Sequence, residues 1–282
     1  MFAVVTTDYP MNRLSLLMRS ICLFLIFWLW VTTSVLAGPL ADRLAQFPRW
    51  ESKPPVQVAE GNLVYPDWMA GTWQVTSTLV DMLAPLAPEI VTPGFDGNRR
   101  YLNQPLQFQV RFVKEISPIS LRQKLLVPLL KVGESSVVAD RAFNGLNIAL
   151  AYLGDSRKDV KDVHSKVTSP ILSVKVDPNN PNRQITFLRG ERQLVSVVTG
   201  RASEIPAADR FIATEVSQQV FQGRGQIYLN EVETTTAYQL LSSGAIAADQ
   251  LTAIYLSPQD PDYFAAIGHP VALYRYRLEL LP

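Results

Sequence analysis

Nine stretches of this chain alternate apolar and polar residues with a period of two, and such runs separated by turn residues read economically as consecutive antiparallel hairpins. They are Thr72–Val80, Leu106–Ile116, Val167–Val176, Gln184–Arg189, Leu194–Arg201, Arg210–Phe221, Gln226–Leu241, Gln250–Ser257 and Val271–Leu281. Turn chemistry sits between them at Asp177-Pro178-Asn179-Asn180-Pro181-Asn182, Gly190-Glu191, Gly223-Arg224-Gly225, Ser242-Ser243-Gly244 and Ser257-Pro258-Gln259-Asp260-Pro261. A meander of eight to ten strands has two edges to hide, and closure removes them. The expected fold class is therefore mainly β: an antiparallel up-and-down β-barrel with one or two short helices, occupying residues 69–282 as one domain. In the last strand Tyr274, Tyr276, Leu278 and Leu280 share one face and Arg275, Arg277 and Glu279 the other. Along Gln226–Leu241, Glu231 and Glu233 oppose Tyr228, Val232 and Tyr238. The charged face reads as solvated rather than as the lining of a polar cavity.

Two stretches interrupt the meander. Asp140–Gly154 places Phe143, Leu146, Leu150 and Leu153 at helical spacing, with Asp140 as N-cap and Gly154 at the end. A second helix is expected at Leu121–Leu130, kinked before Pro128. Residues 81–105 carry Pro85, Pro88, Pro93 and Pro105 and the Gly94-Phe95-Asp96-Gly97-Asn98 cluster, and read as a long loop able to cover a barrel mouth.

The N-terminus has another logic. Arg13 and Arg19 precede an apolar run, Ile21–Val31, and Val35-Leu36-Ala37 supplies small residues for cleavage between Ala37 and Gly38. The run is shorter than the roughly 18 to 20 residues that span a bilayer. Residues 1–37 are thus expected to be a signal peptide and 38–68 an irregular lead lying across the domain, with one short amphipathic piece at Ala41–Phe47. Cleavage removes the only cysteine, Cys22, so disulfides, a thiol nucleophile and thiolate metal sites are excluded together. It also removes two of 26 basic and one of 25 acidic residues, leaving equal numbers. A neutral chain without a Lys/Arg block has no electrostatic footprint for nucleic acid.

Chemistry-bearing patterns are sparse. The two histidines, His164 and His269, lack a companion at metal-ligand spacing, so neither metal nor cofactor is expected. No nucleophile elbow occurs, and Gly223-Arg224-Gly225 runs into a strand rather than a phosphate-cradling helix. Paired carboxylates such as Glu231 and Glu233, about 7 Å apart along one strand face, could suit acid and base work, but same-face glutamates are common on solvated strands. No catalytic residue is expected. What stands out is aromatic: Tyr228, Tyr238, Tyr255, Tyr274 and Tyr276 are the candidate ligand-binding residues, since small-molecule pockets are lined by apolar walls with a few polar handles.

Pro66-Asp67-Trp68-Met69-Ala70-Gly71-Thr72-Trp73, at the head of the first strand, resembles the first-strand motif of the lipocalins and the wider calycin group of ligand-binding barrels. The resemblance implies a barrel-plug role for Gly71 and Trp73, with Arg275 or Arg277 of the last strand set against the tryptophan. The Gly-Thr-Trp opening, Asp140-Arg141-Ala142-Phe143-Asn144-Gly145 and the closing Ala253–Arg277 stretch are similar to an uncharacterised cyanobacterial family with chloroplast relatives. That likeness implies a thylakoid-lumen or periplasmic address and no established activity.

These readings converge on an exported, non-enzymatic, lipocalin-like protein that sequesters a small apolar or amphipathic molecule such as a lipid, pigment or quinone. The alternative is an accessory or assembly protein making peripheral contact with a photosynthetic membrane or a membrane-protein complex. A hydrolase or isomerase using the same cavity comes third.

Overall fold

The period-two runs pair as hairpins in chain order. A computed structural model of the chain describes residues 38–116, 135–154, 169–223 and 225–282. Among these, twelve antiparallel strands form one sheet: β1 (Gln57–Val58), β2 (Val64–Tyr65), β3 (Gly71–Leu83), β4 (Pro105–Ile116), β5 (Ser135–Ala139), β6 (Ile171–Asp177), β7 (Asn180–Leu188), β8 (Arg192–Ala207), β9 (Arg210–Gly223), β10 (Gln226–Leu240), β11 (Ile246–Leu256) and β12 (Ala272–Leu281). Eleven run in the order β2-β5-β4-β3-β12-β11-β10-β9-β8-β7-β6, while β1 pairs with β8. At the β7–β8 turn the pair Leu188↔Arg192 leaves a three-residue loop, in which Gly190 and Glu191 both take positive φ, 74° and 58°.

The sheet is curled into a half-barrel. Tyr65 demonstrates the curl: its ring lies 4.7 Å from Phe112 of β4, 5.5 Å from Phe211 of β9 and 6.4 Å from Tyr238 of β10. In a flat sheet β4 and β10 would stand four strands apart, at about 4.8 Å per step. Inside the curl, Trp73, Val75, Val110, Phe112, Leu278 and Leu280 pack with Phe211 and Ala213 as the main core. The edges β2 and β6 do not pair with each other among the described residues, so closure is incomplete where a closed or nearly closed barrel was expected. A 14-residue helix, Arg141–Gly154, covers the gap instead. It packs on β4, β6 and β7, and a Cβ on its Gly145 would stand 2.6 Å from Gln184 Nε2 and 3.1 Å from Val174 Cγ1. Asp140 caps it, its Oδ1 accepting from the Phe143 amide at 3.1 Å.

The lead is more ordered than its composition suggests. Its first turns form a helix, Pro39–Gln46, with proline at the start. Residues 57–65 then pair first with β8 (Gln57↔Arg201, Val58↔Gly200) and next with β5 (Val64↔Val138, Tyr65↔Val137). One short segment thus laces the far half of β8 to the opposite side of the sheet.

The convex face is where expectation and structure part. Glu233, read as solvated, is 0% exposed. The lead helix lies over β9 and β10 and delivers Arg43, while Trp50 packs with Leu251, Ala253, Tyr255 and Leu273. A face that alternation marks as polar is therefore a second, outer core roofed by the lead. The expected helix at Leu121–Leu130, His164 and the segment before Gly38 lie outside the described residues. No helix among the described residues is long and apolar enough to cross a membrane.

Candidate functional site

Strand parity assigns the concave face. Tyr228 and Tyr238 of β10 and Tyr274 and Tyr276 of β12 all fall on it, the registers β10–β11 (Tyr238↔Ala248) and β11–β12 (Ala248↔Leu278) carrying the same face across. Four of the five candidate tyrosines are thus brought onto one surface. Tyr255 is not among them: it points outward, buried, its hydroxyl donating to Glu233 Oε2 at 2.9 Å. Tyr274 is roofed by the loop after β3, with Phe95 at 5.9 Å between ring centres and Asn98 Nδ2 donating to its hydroxyl at 3.1 Å. That loop therefore covers one end of the concave face, the place expected of it.

Trp73 and the two arginines are not brought together. Trp73 is buried in the inner core, and its indole N–H donates to the Met69 carbonyl at 2.8 Å. Arg275 and Arg277 lie on the opposite face, where Arg275 grips Asp249 with two bonds of 2.9 and 2.7 Å. Gly71 is required by its backbone, at φ 134°, rather than by a close approach, since a Cβ there would meet only Trp73 Nε1 at 3.9 Å.

Burial is distributed unusually. On the outer face of β9–β11, Thr214, Glu233, Thr235, Leu251, Ala253 and Tyr255 are fully buried. On the inner face, across the middle of the half-barrel, Thr234, Ser217, Gln250, Thr252, Ile254 and Tyr276 keep partial exposure, while Val232 and Thr236 on either side of Thr234 are buried. The covering helix repeats the pattern: although rich in Ala, Leu and Ile, it has no fully buried residue. Its far end is pinned by Tyr152, whose carbonyl accepts from Tyr101 at 3.1 Å and whose hydroxyl bonds with Ser77 and Tyr276. Every residue of the helix thus keeps some exposure, while its Gly145 packs closely on β6 and β7.

A polar cluster sits on this inner surface. Arg141, the first residue of the helix, donates to Glu215 of β9 at 3.2 Å, and Arg201 of β8 reaches the other carboxylate oxygen at 3.0 Å. Arg201 faces inward because β8 bulges at Thr199: Val198 pairs with Ser217 but Gly200 with Val216. Without the extra residue Arg201 would point outward. Its remaining terminal donors bind the Gly61 carbonyl at 2.8 Å and Asn182 Oδ1 at 2.5 Å. Burial holds the Tyr65 hydroxyl well above its ordinary range, with Tyr238 and Glu215 adding to the effect and Arg141 and Arg201 opposing it. Burial pushes Tyr238 up to about 12. Both stay neutral hydrogen-bonding groups at any physiological pH. The Nε atoms of Arg141 and Arg201 and Oδ1 of Asn230 are buried with no hydrogen-bond partner among the described residues.

Sequence reasoning missed Tyr65, Arg141, Arg201 and Glu215. Arg141 carried a visible signal, following a capping aspartate on a helix that had to cover the sheet. Arg201 carried none, because a bulge reverses strand parity without a distinctive residue. Glu231 and Glu233, the paired carboxylates, are both engaged on the convex side: Glu231 with Lys53 at 2.5 Å and Glu233 with Arg43 at 2.6 Å. Among the described residues no group of three or more His, Cys, Asp or Glu is placed to hold a metal.

No curated protein and no solved structure matches the chain. The sequence profile of a domain of unknown function, DUF6816, matches residues 57–282, which takes in every strand of the sheet, the covering helix and the inner cluster. The chain belongs to the DUF6816 family.

Proposed function

We propose that this protein is an exported, non-enzymatic carrier whose half-barrel holds a small apolar or amphipathic molecule between its concave face and the helix Arg141–Gly154. The observation that carries this is a strip of partial exposure inside the curl: Thr234, Gln250, Thr252, Ile254, Tyr276 and the helix above them keep some access to water, although the rest of the inner face is packed as core and the outer residues under the lead are dry. A sheet that curls around a partly exposed, aromatic-bearing surface gives an apolar molecule a place to leave water. Tyr228, Tyr276 and the Tyr65–Tyr238 pair supply flat apolar walls with hydroxyls at their rims. The compartment proposed is a thylakoid lumen or periplasm, supported by the signal-like segment before Gly38.

A second reading has its own support. Phe264 is 81% exposed, Ile267 56% and Ile227 65%, and register places all three near the same end of the sheet, beyond Asn230↔Leu256. Exposed apolar groups gathered at one end of a sheet suit contact with a membrane or a membrane-protein complex, as an accessory or assembly protein requires.

Native mass spectrometry with lipid and pigment extraction on the protein from its natural compartment separates the two. A stoichiometric apolar molecule supports the carrier. A reproducibly empty protein co-purifying with membrane-complex subunits supports the assembly role.

A further inference from the structure

Arg43, which is buried, and Arg141, which is partly buried, are paired differently. Arg43 presents Nε and Nη2 to both oxygens of Glu233, each at 2.6 Å, and Tyr255 accepts a further bond from Nη2 at 3.0 Å. Arg141 reaches Glu215 through Nη1, at 3.2 and 3.4 Å, and among the described residues its buried Nε atom has no partner. Glu215 is not Arg141's alone, since Arg201 shares it. Arg201 spends its terminal donors on the seam formed by Gly61 and Asn182, so it is not free to turn elsewhere. Among the described residues one carboxylate therefore faces two guanidiniums on the concave face, one positive charge more than it balances.

A guanidinium has a planar fork of five donors suited to a two-oxygen anion. Holding one inside a fold with its donors unspent is costly unless something pairs with it. Arg141 stands at the boundary between this charged patch and the apolar helix carrying Leu146 and Leu150. A molecule lying along that helix would end beside it.

We infer that Arg141 anchors a monoanionic oxyanion head group, a carboxylate or a phosphodiester, on the amphipathic molecule carried by the concave face. This rests on the carrier reading. A single negative charge balances the cluster to two guanidiniums and two anions, which favours these groups over a neutral head or a phosphate dianion. The hydrocarbon part leaves Arg141 along the helix, across the half-buried inner residues of β9 to β11.

The test uses the fluorescent polyene fatty acid cis-parinaric acid and its methyl ester, titrated into the purified protein. The acid is expected to bind at least about tenfold tighter than the ester, one well-paired charge being worth that or more. Arg141→Gln reduces the acid to the affinity of the ester and leaves the melting temperature of the unliganded protein within a degree or two, whereas Arg141→Lys retains most of the preference. Should Arg141→Gln not fold, Glu215→Gln serves: removing the competing carboxylate increases the preference for the acid. Displacement by oleate or by lysophosphatidylglycerol then identifies carboxylate or phosphodiester as the better head group. Equal binding of acid and ester overturns the anion assignment and leaves the carrier reading standing. No binding of either probe overturns both.

Discussion

The guanidinium of Arg43 and the carboxylate of Glu233 meet edge to edge, Nε to Oε1 and Nη2 to Oε2 both at 2.6 Å, across 190 residues of sequence and out of contact with water. Trp50 stacks over the same guanidinium at 4.0 Å, and Thr235 donates to Oε1 at 2.9 Å. Every oxygen of Glu233 is used. This is the joint that fixes the lead helix to the outside of the sheet, and the first prediction concerns it.

Arg43→Ala is expected to cost about 3–5 kcal/mol, because it strands a carboxylate in a dry site. Replacing both partners by apolar residues of similar volume, Arg43→Met with Glu233→Leu, recovers most of that loss. Urea melts of Arg43→Met, Glu233→Leu and the double variant give the coupling directly. Equal and additive losses would show that the two side chains do not act as a pair.

Trp73→Ala empties a large site in the inner core and is expected to cost about 3–5 kcal/mol. Trp73→Phe keeps most of the volume but leaves the Met69 carbonyl without its donor, for about 1 kcal/mol. Thermal melts rank the two, and ligand affinity per folded molecule stays near wild type in both. A Trp73→Ala protein melting with the wild type would sink the plug role.

Gly200→Val tests the lacing segment. A Cβ at Gly200 stands 2.6 Å from Val56 Cγ2 and 3.4 Å from the Gln57 carbonyl, so a branched side chain must push β1 away. The expected loss is about 1–3 kcal/mol, with early proteolytic cuts between residues 56 and 63 while the strands β8–β12 stay protected. Cuts distributed as in the wild type would mean that β1 accommodates the added volume in place.

Alkaline pH is expected to unfold this protein cooperatively. Tyr65, Tyr238, Tyr255 and Tyr276 have hydroxyl pKa values raised first by burial, Tyr238 to about 12. A phenol that ionises more readily unfolded than folded stabilises the native state fully below its unfolded value, near 10, and loses that contribution as pH climbs toward the folded value. Tyrosinate absorbance from these residues should therefore appear together with loss of the circular dichroism signal. A smooth rise above pH 10 in a still-folded protein would contradict the burial of these hydroxyls.

The meander was legible because alternation reports directly on a two-faced strand. Leu106–Ile116 reappears as β4, beginning one residue earlier, and Arg210–Phe221 as β9, ending two later. Asp140 announced its helix by an oxygen placed to cap it. What alternation cannot report is which face water reaches. Glu233 and Tyr255 sit on a face that looks polar in one strand and apolar in the next, and only the docking of Arg43 and Trp50 decides that it is dry. β1, β2 and β5 went unread as strands because two to five residues are too few to show a period. Asn182, read as part of a turn, is buried in β7, where it joins the Ala59 carbonyl to Arg201. The inner cluster was hidden for a third reason: its parts come from a seam residue, a strand, a bulged strand and a helix start, which only the curl brings within reach of one another.

The lacing of β1 to β8 also sets an order of events. Gln57 must find Arg201 and Leu83 must find Leu273, whereas the hairpins β7–β8, β8–β9 and β9–β10 close over a few residues each. Contacts between distant parts of a chain are slow to form because the entropy of closing the loop comes before any reward. The hairpin array of β7–β12 can therefore assemble on its own, while the lead, the first part of the domain to be synthesised, waits for most of the chain to be made before it has anything to grip.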